Sequence, residues 1–110
     1  MAFSEKLAAR VRRLLAEHRS VNEKQMFGGL AFLMRGNMCC GVHGDELIVR
    51  LAPEQTDAAL ARPGTRVFDL TGRAMKGWIL VGSRGIATAP ALRRWVGIAV
   101  TYAESLPAKR

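Results

Sequence analysis

Three glycine-led pairs, Gly28-Gly29, Gly36-Asn37 and Gly44-Asp45, recur eight residues apart and constrain this chain more than any other feature. Six-residue runs rich in apolar side chains lie between them. A glycine leading a two-residue loop supplies the positive φ of a type II′ turn, whose twist matches the strands it joins. The rhythm predicts a four-stranded antiparallel meander over residues 22–27, 30–35, 38–43 and 46–51.

Two-residue loops also fix register, and register decides which side chains share a face. Arg35 is expected opposite Met38, Leu33 opposite Cys40, Ala31 and Leu47 opposite Val42, and Val49 opposite Cys40. One face then carries Met26, Ala31, Leu33, Met38, Cys40, Val42, Leu47, Val49 and Leu51. It is almost wholly apolar and is expected to form the core under helices. The other face carries Gln25, Phe27, Leu30, Phe32, Met34, Cys39, His43, Glu46, Ile48 and Arg50. On that face Phe27, Leu30, Phe32, Met34 and Ile48 form an apolar patch.

Helices flank the meander. Ser4 followed by Leu7, Val11, Leu14 and Leu15 reads as an N-cap and an apolar stripe, giving a helix over 4–18. Pro53, with Glu54 and Asp57 near the positive end, suits the first turn of a short helix that Arg62-Pro63-Gly64 ends. Residues 66–70 and 77–81 read as two further strands. A last helix over 90–105 carries Leu92, Trp95, Val96, Ala99 and Ala103 as its stripe, with Tyr102 and Leu106 alongside. The expected fold is therefore α+β. A four-stranded antiparallel meander plus two strands has its N- and C-terminal helices packed on one face, in a single domain over 1–110. A length of 110 residues suits one domain.

No apolar run reaches the roughly 20 residues needed to span a bilayer. Residues 1–5 lack the basic start and apolar stretch of a signal peptide. The two cysteines are adjacent, a pattern that suits a reducing compartment rather than a disulfide framework. A cytoplasmic location without membrane contact is expected.

Zinc would need Cys39, Cys40, His43 and Asp45 to converge. On a regular strand Cys39 and Cys40 point to opposite faces, and Cys39 and His43 lie about 13 Å apart. Such spacing cannot serve one ion whose ligands sit roughly 2.0–2.3 Å away. A cysteine nucleophile would need a base within hydrogen-bond reach, and His43 is too far along the strand. Gly82-Ser83-Arg84-Gly85 is not a nucleophile elbow, and no phosphate-cradling loop with its Lys and Ser/Thr is present. We expect no catalytic residues, no metal and no cofactor.

The net charge is +8, and thirteen of the seventeen cations are arginines scattered along the chain. Arg12, Arg13, Arg73, Lys76, Arg93 and Arg94 could together neutralise phosphates or an acidic partner. No aromatic ladder alternates with them, and Trp78 and Trp95 read as core anchors. The apolar patch of Phe27, Leu30, Phe32, Met34 and Ile48 is either covered by later segments of the chain or is a homodimer or partner interface.

Four blocks carry a further signal. They are Met26-Phe27-Gly28-Gly29-Leu30-Ala31-Phe32, Gly36-Asn37-Met38-Cys39-Cys40-Gly41-Val42, Asp45-Glu46-Leu47-Ile48-Val49-Arg50 and Met75-Lys76-Gly77-Trp78. The closing pattern is Leu92, Trp95-Val96, Ala99, Tyr102-Ala103 and Leu106-Pro107. In this order they resemble the N-terminal domain of the TfoX/Sxy family of bacterial competence regulators, in a single-domain form. The resemblance departs at Ala74, where proline is expected. It also lacks the second, C-terminal domain of the longer regulators. It implies an α+β domain with an antiparallel sheet and a regulatory, non-enzymatic role. The implied partner is a transcription regulator, because family members assist transcription of DNA-uptake genes with a cyclic-AMP-responsive activator. Alternatives kept open are a nucleic-acid-binding basic domain and a small ligand-binding domain or enzyme.

Overall fold

Ser4 caps the first helix as its sequence position predicts: its Oγ accepts from the Leu7 amide at 3.1 Å. The computed structural model describes residues 3–18, 20–26, 28–69, 72 and 75–108. Helix α1 (Glu5–Leu15) buries Leu7, Ala8, Val11 and Leu15. It is shorter than expected, and a closing turn in which the His18 amide donates to the Leu15 carbonyl follows it.

The meander is present as β1 (Val21–Met26), β2 (Gly29–Met34), β3 (Asn37–His43) and β4 (Glu46–Arg50). After a single turn at Pro53–Gln55 comes α2 (Thr56–Leu60), then β5 (Thr65–Val67) and β6 (Trp78–Val81). Helix α3 (Ala89–Glu104) ends the fold, with Thr88 as its N-cap. The six strands form one antiparallel sheet in the order β1-β2-β3-β4-β6-β5. All three helices cover the same face. Leu7 and Val11 of α1, Ala59 of α2 and Leu92, Trp95 and Ala99 of α3 join Val42, Leu47, Val49, Ile79 and Val81 in the main core. The chain is thus α+β, as expected.

The register between β2 and β3 differs from the expected one. Two of the three turns sit one residue earlier, because Met26 pairs with Gly29 and Met34 with Asn37. The loop between β2 and β3 is Arg35-Gly36, with both residues at positive φ (52° and 85°), as a type I′ turn requires. A second change decides the faces. Phe32 pairs with Cys40, yet Leu33 pairs with Met38, so Cys39 is the extra residue of a β-bulge. Beyond the bulge, Leu30 lies opposite Val42.

The bulge inverts the expected faces of β2. Leu30, Phe32 and Met34 lie in the core under the helices, beside Cys40 and Val42. Ala31, Leu33 and Met38, expected in that core, lie on the second face with Ile48 and Leu80. Cys39 and Cys40 both face the helices, which corrects the expectation that they point apart. The β3–β4 register is as expected, with Val42 opposite Leu47 and Cys40 opposite Val49. Volume explains the choice: β2 is apolar on both parities, and the bulge sends its larger trio beneath the helices. Burying a side chain of this size contributes roughly 1.5–3 kcal/mol.

The chain itself covers much of the second face. Phe68, just past β5, is buried there with Ala31, Met38, Ile48 and Leu80, and Met26, Leu33, Met75 and Trp78 surround them. The Phe68 and Trp78 rings meet at 5.5 Å.

Two polar ties join distant segments. Arg35 donates to the carbonyls of Glu104 (2.9 Å) and Leu106 (3.1 Å), and the buried Asn37 Nδ2 donates to the Pro107 carbonyl at 2.8 Å. These bonds place a cation at the negative end of α3. They offset the roughly 1–2 kcal/mol that a non-glycine residue pays in the left-handed region. At the other end, the Gly77 amide donates to the buried Thr56 Oγ1 at 2.8 Å, and its carbonyl accepts from Leu51. Gly77 sits at φ 87°, a conformation that disfavours any side chain.

Candidate partner-binding surface

The sheet-face patch expected from the sequence does not exist as a surface. Leu30, Phe32 and Met34 are 7%, 1% and 3% exposed inside the helix-covered core. Ile48 is buried on the second face beneath Phe68. Phe27 lies outside the described residues. The cause is the bulge at Cys39, which reverses β2. Among the described residues, the exposed large apolar side chain is Val67, on the edge strand β5.

The two thiols share one buried environment. A hydrogen bond with Cys39, then burial, pushes the Cys40 thiol well above its ordinary value. Such a thiol stays protonated at neutral pH and is a poor nucleophile. No group of three or more His, Cys, Asp or Glu side chains among the described residues is arranged to hold a metal ion.

Six basic positions were expected to act together, and they come from separate elements. Arg12, on α1, is committed to Glu23 of β1 through two bonds, one of 2.8 Å from its terminal nitrogen. That bond raises the Arg12 pKa and lowers that of Glu23. Arg13 is exposed on α1, Lys76 is exposed in the turn before β6, and Arg73 lies outside the described residues. Arg93 and Arg94 are exposed side by side on α3. Other arginines serve the fold. Arg10 donates to the Ile86 carbonyl, Arg66 pairs with Glu46 and Asp69, and Arg62 lies 5.5 Å over the Trp95 ring. The overall charge therefore overstates the cationic surface that is free to meet a partner.

One open groove among the described residues was not foreseen from the sequence. A groove of about 530 Å³ runs along the outer side of α3, lined by Arg94, Gly97, Ile98, Thr101 and Tyr102, with Gln55 on the opposite wall. Tyr102 was read as a companion of the buried stripe. It is half-buried, and the Arg50 guanidinium lies 5.5 Å from its ring and 5.2 Å from that of Trp78. Cation–π contact ties Arg50 to Tyr102, one of the residues that line the groove. A second hollow of about 200 Å³ holds Arg62 and Ala58 and shares Gln55 and Ile98 with the first. The sequence did contain one signal, a glycine, Gly97, in the middle of the last helix.

No helix among the described residues is long and apolar enough to cross a membrane. No curated protein and no solved structure matches the chain. The family model described as the TfoX N-terminal domain matches residues 13–103. That match runs from α1 to the last turn of α3 and takes in the bulged meander, the Gly77 junction and the groove, and so the chain belongs to the TfoX N-terminal domain family.

Proposed function

We propose that this chain is a non-enzymatic regulatory module that works in the cytoplasm by contacting a transcription regulator. Membership of the TfoX N-terminal domain family, over residues 13–103, is the observation that carries this reading. The free surface supports it. Arg93 and Arg94 are exposed on α3 beside the groove, without an ion-pair partner among the described residues. The protonated, buried Cys40 thiol fits a structural role better than a reactive one.

The test is genetic. Deleting the gene should change transcript levels of a defined set of genes, DNA-uptake genes first among them, and the intact chain supplied in trans should restore them. Unchanged transcripts across the genome after deletion would count against the proposal.

A further inference from the structure

Resting on the interaction-module reading above, we propose that the groove along α3 is the docking site for an acidic, amphipathic peptide segment of the partner protein.

Charge comes first. Arg94 stands at the rim of the groove and Arg62 in the hollow that continues it. Neither lining contains an aspartate or glutamate. Arg62 is held over the Trp95 ring, so its guanidinium is positioned without being neutralised by a carboxylate among the described residues. A carboxylate entering this space meets two cations, and no carboxylate is among the described residues that line it.

The floor is of a different kind. Ile98 and Tyr102 are half-buried and offer apolar area to an aliphatic side chain. An occupant that satisfies both rim and floor carries carboxylates on one edge and apolar groups on the other, as a helix or strand bound in a groove does. A nucleic acid fits less well, because its backbone calls for a row of phosphate contacts rather than two cations above an apolar floor.

Gly97 supplies an independent argument. Glycine is the poorest helix former after proline, yet it stands in the middle of α3. Nothing inside the fold requires it, since a Cβ placed there would meet no atom within 4 Å. It lines the groove, where a bare backbone lets a second chain approach closely.

The probe is a fluorescein-labelled peptide of about 12 residues with leucines and glutamates at helical spacing. A lysine-for-glutamate counterpart and a DNA duplex serve as comparisons. The acidic peptide should shift the amide resonances of Gln55, Gly97, Ile98 and Thr101. Arg94→Glu and Gly97→Leu should each weaken binding by about tenfold or more, as should the lysine peptide. Gly97→Ala should raise the thermal midpoint while weakening binding, which separates a contact role from a folding one.

Resonance shifts centred elsewhere, equal affinity of the Arg94→Glu protein, or a duplex that displaces the peptide from α3 would overturn the proposal. The genetic assay separates the two readings. If folded Arg94→Glu and Gly97→Leu proteins restore transcripts fully in the deletion strain, the groove is the wrong surface and the module reading stands. If the deletion itself changes no transcript, the module reading falls whatever the peptide does.

Discussion

Cys40 shows how little a residue type says without its surroundings. Adjacent cysteines on a regular strand diverge, and on that ground a shared site was rejected. The bulge brings both free thiols to one side, where they share a hydrogen bond in a buried setting. The sequence could not reveal this, because the bulge depends on how β2 and β3 align and not on the two residues themselves. A pH dependence follows. The folded-state pKa of Cys40 lies above its ordinary value of 9.0, so the unfolded chain loses that proton first. The contribution of Cys40 to stability is then complete below about pH 9 and declines as pH rises towards the folded value. Unfolding free energies from urea melts at pH 7 to 10 should fall on the alkaline side, by at most about 1.4 kcal/mol per pH unit for one proton. Cys40→Ala should lack that part of the slope, and an unchanged slope would refute the assignment. Asn37 is also decided by its setting. Read from sequence as half of a turn pair, it is the first residue of β3, and its side chain ties the turn to Pro107. Asn37→Ala removes its bond to the exposed Pro107 carbonyl, just past α3, and should cost about 0.5–1.5 kcal/mol in urea denaturation.

At the scale of elements, the strands and helices were legible because turn chemistry and periodicity are local. Every expected element exists, with ends that move by a few residues. The faces of β4, and of β3 from Cys40 onward, were also legible, since Gly44 leads its loop as expected and His43 pairs with Glu46. The faces of β2 were not legible. Its sequence Gly-Leu-Ala-Phe-Leu-Met is apolar at every position after the glycine, so alternation carries no signal, and a single extra residue reverses which set is buried. Leu30, Phe32 and Met34 of the patch inferred for docking therefore belong to the core. The groove along α3 escaped notice because it needs Gln55 and α3 to meet in space. Deleting Cys39 tests this account. Without the extra residue, one strand must slip or β2 must turn Leu30, Phe32 and Met34 away from the helices. The loss should exceed the roughly 3–5 kcal/mol typical of removing one buried aromatic. Circular dichroism should report a largely unfolded chain, and a stable, cooperatively melting deletion protein would contradict the role given to the bulge.

For the molecule as a whole, the chain's own Phe68 covers much of the second face, which weakens the case for self-association there. Phe68, Met75 and Trp78 of the same chain occupy the place a second copy would have taken. The sheet edges are also poorly suited to pairing. At one edge β1 exposes Glu23 and Lys24, and at the other β5 is three residues long with Arg66 drawn to Glu46. Short or charged edges discourage strand addition from another molecule. A charge of +8 adds long-range repulsion between copies, most strongly at low salt. Light scattering across a concentration series in low and physiological salt should therefore return one species near 12.0 kDa. A dimer that grows with concentration at high salt, once repulsion is screened, would show that an apolar contact had been missed. Val67 is the first residue to examine in that case, because it is the large apolar side chain left exposed among the described residues. Val67→Lys would then abolish the dimer if the β5 edge carries it, and would leave it intact if the contact lies on α3.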